Sequence, residues 1–272
     1  MSDNASATQA QVDVALTALT TAINGLELKP VIVDKAALNA KITEAEGKTE
    51  SEYTQASWSA MQTALTAAKT VSNNANATQA QVDGATAALT KAINGLVLKP
   101  AVPAVNSKHT VGKLVYKVLK SHEKNGTVQV IGMSKKTHTT ITIPNTVTLK
   151  GYVFKVTEVG NKAFANSTKL RKVTIKDNVT KIRTKAFYNC KKLTTLKVGK
   201  GLTSIGKEAF SKCRILKKIT INSSKIKTVG KNAFKEISGK AKIKVPKKQV
   251  SKYKGIFKKD GRPKGVKIVK IK

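Results

Sequence analysis

The side chains able to do covalent or metal chemistry are few and scattered. Three histidines, His109, His122 and His138, follow one another without metal-ligand spacing, and the 15 acids include no pair that the sequence places in one pocket. No glycine-rich phosphate loop, nucleophile elbow or zinc signature occurs. Cys190 and Cys213 stand 23 residues apart at one repeat position, hence on neighbouring turns of a repeating chain. Stacked strands lie about 4.8 Å apart, within reach of a disulfide, but two buried, reduced thiols serving as small apolar residues is the simpler reading. What remains is charge. The chain of 272 residues carries 51 Lys and Arg against 15 Asp and Glu, a net of +36. Lysine in such excess attracts anions electrostatically, and with no catalytic motif beside it no enzyme and no cofactor is expected.

The elements that position those lysines repeat. Val159-Gly160-Asn161-Lys162-Ala163-Phe164, Ile182-Arg183-Thr184-Lys185-Ala186-Phe187, Ile205-Gly206-Lys207-Glu208-Ala209-Phe210 and Val229-Gly230-Lys231-Asn232-Ala233-Phe234 place their Ala-Phe pairs 23, 23 and 24 residues apart. Units this short cannot bury their apolar side alone and must stack into a solenoid. Leu170-x-x-Val173-x-Ile175, Leu193-x-x-Leu196-x-Val198 and Leu216-x-x-Ile219-x-Ile221 alternate at period two, so each coil contributes one strand to a parallel sheet, with Phe filling the interior. Val179, Leu202 and Ile226 extend the pattern. The period and positions resemble the BspA-like leucine-rich repeats of bacterial surface proteins, whose units read roughly Leu-x-x-Ile-x-Ile-Pro…Val-x-x-Ile-Gly-x-x-Ala-Phe-x-x-Cys. Departures fall at the ends: Pro follows the strand only at Pro144 and Pro246, and Ser167 and Ile237 stand where the middle units have Cys. Leu114–Val118 and Thr127–Val130 around Glu123-Lys124-Asn125-Gly126 predict a β-hairpin cap at the N-terminal side, and residues 240–272 a closing segment.

Composition divides the chain near residue 105. Residues 1–105 hold 7 Lys against 9 acids, a net of −2, and residues 106–272 hold 44 Lys and Arg against 6 acids, a net of +38. In the first half Trp58, Met61, Leu65, Ala68 and Val71, and likewise Val82, Ala85, Leu89 and Ile93, recur at helical spacing; Leu38, Ile42 and Ala45 do so over a shorter stretch. Thr78-Gln79-Ala80-Gln81 fits a capping box and Asn94-Gly95 supplies a stop. Trp58 and Tyr53 read as bundle core. Ala7 through Pro30 nearly repeats Ala77 through Pro100, 70 residues on. Tyr53-Thr54-x-x-x-Trp58, Ala64-Leu65-x-x-Ala68-Lys69 and Ala92-Ile93-Asn94-Gly95-Leu96 resemble the FIVAR module, a three-helix bundle of bacterial surface proteins and secreted glycan-degrading enzymes.

The expected fold is thus α+β and multidomain: the last helix of a preceding module at 1–30, a three-helix bundle at 31–100, a linker at 101–108, and a leucine-rich repeat β-solenoid with caps at 109–272. The chain reads as an excised piece, and the stripe Val12, Leu16, Leu19, Ile23 and Leu26 must then dock on a module, pair with another chain, or fray. Lys29-Pro30 and Lys99-Pro100 would interrupt a jointed stalk. No stretch approaches the ~20 apolar residues of a membrane span.

On each solenoid strand the outward side chains form a candidate binding face: Lys172, Thr174 and Lys176; Thr195 and Lys197; Lys218 and Thr220; Lys242 and Lys244. Lys far outnumbers Arg, and the aromatics belong to the repeat interior, which argues against nucleic acid. The expected partners are anionic cell-wall glycans, teichoic acid, or sulfated and sialylated host glycans, held for wall attachment or adhesion at a bacterial cell surface. Solvation of the solenoid alone is the bland account of the lysines. Two further readings stay open: the accessory C-terminal region of a large secreted glycoside hydrolase, and a module binding a host or bacterial surface protein through its strand face.

Overall fold

A computed structural model describes residues 7–26 and 32–271. The chain divides into two units, Met1–Lys99 and Pro100–Lys272, each with its own core.

The first unit is helical. Helix α1 (Gln9–Asn24) precedes α2 (Ala36–Glu46), α3 (Gln55–Asn73) and α4 (Gln79–Asn94). Helices α2, α3 and α4 pack as the expected bundle around Leu38, Ala45, Met61, Leu65, Ala68, Val82, Leu89 and Ile93. The capping box forms: Thr78 Oγ1 accepts from the Gln81 N–H at 3.3 Å, and Gln81 Oε1 accepts from the Thr78 N–H at 2.9 Å. Gly95 follows the last helical residue, and its N–H donates to Lys91 O at 3.0 Å. Tyr53 and Trp58 stack at 6.2 Å, half-buried, with Trp58 packed on the core margin. The α1 stripe is exposed, from 49% at Val12 to 77% at Leu26. Lys29-Pro30 lies outside the described residues.

The second unit is a β-solenoid. Its cap comprises β1 (Lys108–Val111), β2 (Leu114–Lys120) and β3 (Thr127–Met133), with β2 and β3 forming the expected antiparallel hairpin and β1 extending it. Then come β4 (Thr140–Ile143), β5 (Thr146–Leu149) and β6 (Tyr152–Val159), of which β5 and β6 make a second hairpin around Lys150 and Gly151, both at positive φ. Each following coil carries a four-residue and a two-residue strand: β7 (Lys172–Ile175) with β8 (Lys181–Ile182), β9 (Thr195–Val198) with β10 (Ser204–Ile205), and β11 (Lys218–Ile221) with β12 (Thr228–Val229). Strand β13 (Lys242–Val245), helix α5 (Val250–Ile256) and β14 (Lys267–Lys270) close the stack. There are therefore two sheets where one strand per coil was expected. One runs β14-β13-β11-β9-β7-β4, parallel throughout; the other runs β1-β2-β3-β6-β8-β10-β12.

The interior explains the period. Phe164, Phe187, Phe210 and Phe234 stack with centroids 5.0, 5.1 and 5.2 Å apart, and Phe257 of the closing segment adds a fifth ring at 5.8 Å. These separations lie in the favourable range for aromatic pairs. The neighbouring Ala serves the backbone: the N–H groups of Phe164, Phe187 and Phe210 donate to the carbonyls of Ala186, Ala209 and Ala233 on the next coil at 2.7–2.8 Å. The cap copies the pattern, since the Phe234 N–H donates to Asp260 O at 2.8 Å. The closing segment thus accepts the Asn232 and Phe234 amides of the last coil, as a further coil would. Within the segment expected as a linker, 101–108, Pro103 is buried and Val102 packs on the core of this unit.

Candidate anion-binding face

The six-stranded sheet turns Val173, Ile175, Leu196, Val198, Ile219, Ile221, Ile243 and Val245 inward, so the alternate residues face out. Strand register aligns them in two rows. Lys172, Thr195, Lys218, Lys242 and Lys267 pair across successive strands, and so do Thr174, Lys197, Thr220, Lys244 and Val269. A groove of about 480 Å³ crosses the rows, lined by Thr195, Lys197, Lys217, Lys218, Ile219, Thr220, Lys240, Lys242 and Lys244. Six of the nine expected side chains thus share one concavity, with Lys172 and Thr174 next in the rows. Lys176 lies apart: it follows the end of β7 and is exposed, and the same position in the next coils holds Gly199 and Asn222.

Three lysines escaped the sequence reading. Lys217 precedes its strand out of phase with the alternation, Lys240 precedes β13 in phase but outside the strand, and Lys267 sits in β14, whose coil lacks the Ala-Phe signature.

Four of the six acids of this half pair elsewhere. Glu158 lies on the other sheet, where burial would raise its carboxyl but hydrogen bonds from Arg183 and Gln129, with the charges of Arg183 and Lys181, hold it below the usual carboxylate range. Glu208 pairs with Lys185 and Lys207 on the turns, and Glu236 with Arg214. Burial raises the Asp260 carboxyl, although the Arg262 guanidinium lies 2.8 Å away. Among the described residues, no ion pair involves Lys172, Lys197, Lys218, Lys242 or Lys244. Facing ammonium groups about 8 Å apart repel by about 0.5 kcal/mol per pair in water. This uncompensated field is what a polyanion would relieve.

The remaining candidates are accounted for locally. His109 and His138 contact Ser107 and Ser134, and His122 Nδ1 accepts from the N–H groups of Lys124 and Asn125 at 3.1 Å. Cys190 and Cys213 are free and buried, their thiols donating to Phe164 O and Phe187 O at 3.1 Å, and burial pushes the Cys213 thiol up. Among the described residues, no three His, Cys, Asp or Glu side chains gather as a metal site. Tyr188 is an outward aromatic on the turns, with the Lys185 and Lys212 ammoniums each 5.5 Å from its ring.

Short parallel coils, a Leu-led strand in each and a phenylalanine stack inside define a leucine-rich repeat solenoid, here preceded by a helical module. More particularly, residues 157–268 match the BspA type leucine rich repeat region in six copies, and residues 1–27 and 34–97 match the FIVAR domain. The chain is therefore FIVAR sequence followed by a BspA-type leucine-rich repeat domain, families of non-catalytic linker and repeat units.

Among curated relatives, a lacto-N-biosidase of Bifidobacterium longum is 48% identical over 80 residues, 29% of this chain and 5% of the relative. A polysaccharide lyase 8 family protein, HylA, of Enterococcus faecalis is 38% identical over 126 residues, 46% of this chain and 9% of the relative. The chain thus spans less than a tenth of either. Among solved structures, a leucine-rich repeat protein from Bacteroides capillosus shares 28% identity over 45% of this chain and 87% of that one, with a TM-score of 0.41. One from Bacteroides ovatus shares 26% identity over 60% and 37%, with a TM-score of 0.44.

Proposed function

We propose that the six-stranded face of the solenoid holds an anionic polymer at a bacterial cell surface, and that the helical region spaces it from the rest of its protein. In this reading residues 1–30 end one module, 31–100 form the next, and 109–272 bind without turnover. The observation that carries it is the segregation of charge: Glu158, Glu208, Glu236 and Asp260 pair with cations on the second sheet, the turns and the closing segment, Asp177 accepts from the Lys200 backbone N–H, and among the described residues the lysines of the strand face meet no carboxylate. Solubility alone would not require that sorting. The strand face offers point charges and hydroxyls, which suits teichoic acid, anionic wall glycan or host glycan better than base recognition. No helix among the described residues is long and apolar enough to cross a membrane.

The curated matches favour a second reading of the context. Both relatives carry the names of glycan-active enzymes and are far longer than the matched stretch, which supports an accessory region of a secreted glycan-degrading enzyme. The same face would then hold the enzyme at its polymer.

Binding of the full chain to purified cell wall, to wall stripped of teichoic acid and to a sulfated host glycan, each across a salt series, tests the proposal. Steep loss of affinity with salt, confined to the anionic materials, is expected from counterion release. Affinity that survives high salt would indicate a protein partner, and absence of binding would reduce the lysines to solvation.

A further inference from the structure

The pattern within the two rows is more specific than a basic surface. On β7, β9 and β11 one outward position is Lys and the other Thr, and the assignment swaps from each strand to the next: Lys172 with Thr174, Thr195 with Lys197, Lys218 with Thr220. Strands advance by about 4.8 Å per coil, and positions two residues apart lie about 6.6 Å along a strand. Across β7, β9 and β11 the row lysines therefore zigzag along the solenoid axis on alternating sides of a line between the rows, with Lys217 and Lys240 flanking them in the groove and β4, bearing Thr140 and Thr142, adding no charge. Each has a threonine across that line and a threonine beside it in its own row.

Different polyanions meet this array differently. Duplex DNA presents a charge every ~1.7 Å of its axis, far denser than one cation per coil. A flexible phosphodiester chain fixes no left-right alternation. A glycan with one carboxylate per disaccharide, extended as a ribbon, turns every charged sugar the same way, so its charges fall on one side and engage one row. A ribbon with a carboxylate on every sugar, each rotated half a turn from the last, presents anions alternately left and right at roughly one coil height. We infer that the ligand is such a flat, fully carboxylated glycan, laid along the solenoid axis across the strands. Threonine hydroxyls opposite each charge donate to and accept from ring hydroxyls. At β13 both outward positions, Lys242 and Lys244, are basic, so the alternation ends in a denser anchor.

This inference rests on the polyanion reading, and the experiment separates the two. The probes are β-1,4-linked oligomannuronate, hyaluronan oligosaccharides with equal numbers of carboxylates, and neutral mannan oligosaccharides, titrated against the full chain by calorimetry. The informative variant is the double swap T195K/K197T, which keeps net charge and exposure but moves one cation across the line. Oligomannuronate is expected to bind more tightly than hyaluronan at equal charge, and the swap to weaken only the former, by about tenfold, the loss of one charge-assisted contact. With the unsubstituted chain, affinity is expected to climb with oligomer length up to about five sugars, one per coil from β7 to β14, and then level off. Equal affinity of both acidic glycans, with the swap silent, would overturn the alignment and leave the polyanion reading standing. No salt-dependent binding of either would overturn both.

Discussion

Replacing Phe210 with Ala should break the solenoid at its middle. The ring is fully buried and stacked on both sides, 5.1 Å and 4° from Phe187 and 5.2 Å and 10° from Phe234. A buried Phe→Ala change costs about 3–5 kcal/mol, depending on how far the surroundings collapse into the space. Collapse is resisted here, because the coils on either side are pinned by the 2.8 Å bonds from the Phe187 N–H to Ala209 O and from the Phe210 N–H to Ala233 O. The cost should therefore fall near ~5 kcal/mol, comparable to the whole stability of a modest domain. Phe210→Leu restores most of the volume but no ring; two lost contacts of about 0.5–1.5 kcal/mol each predict an intermediate cost of about 1–3 kcal/mol. Phe257→Ala removes a ring stacked on one side at 5.8 Å and should fray the closing segment first. Urea unfolding combined with hydrogen exchange of the coil amides reads all three. A Phe210→Ala cost below about 2 kcal/mol, or a Leu variant no better than Ala, would refute the idea that the phenylalanine stack holds the coils together.

Glu158→Gln should lower stability at neutral pH by about 1–2 kcal/mol, by removing charge-assisted bonds to Arg183 at 2.8 and 2.9 Å. The folded-state carboxyl lies below its ordinary value of 4.5, so its contribution is present above that pH and is lost as the pH falls through the depressed value. The two stability curves should accordingly converge in acid, and denaturation at stepped pH checks this. Gly206→Ala should cost about 2–4 kcal/mol, since a Cβ there would sit 2.6 Å from the Arg183 carbonyl carbon and the Thr184 nitrogen, whereas Gly239, with open space around it, should tolerate Ala within about 0.5 kcal/mol. Thermal melts of the pair decide it. Cys190 and Cys213 should ignore a disulfide-exchange reagent in the folded protein and react, two per chain, once unfolded; fast reaction in the native state would contradict their burial.

What the sequence made legible follows from what repeats. Leu170, Val173 and Ile175 recur at fixed spacing because each coil must present the same apolar face to its neighbours, so strand, interior and period could be read together. The second sheet could not, because Lys181–Ile182, Ser204–Ile205 and Thr228–Val229 are too short to show an alternation. The fifth ring was hidden for another reason: Phe257 follows helix α5 without a preceding Ala, and only the completed stack shows that it occupies the ladder. The outward residues of the candidate face were identifiable one strand at a time, but the swap of Lys and Thr between rows depends on inter-strand register, a property of pairs of coils.

Helices α1 and α4 separate local from tertiary encoding within one chain. Both have 16 residues, both begin with a Thr and Gln capping box, and both end before Gly. Yet Val82, Leu89 and Ile93 of α4 are buried, while Val12, Leu19 and Ile23 at the same positions of α1 are exposed. Caps and propensity therefore specify the helix, and burial depends on whether neighbours supply a complementary face. The solenoid divides labour in a similar way. Inward residues fix the coil and the stack, which leaves the alternate positions unconstrained by packing. Packing therefore does not dictate the alternation of Lys and Thr along β7, β9 and β11, which gives way to two Thr on β4 and two Lys on β13.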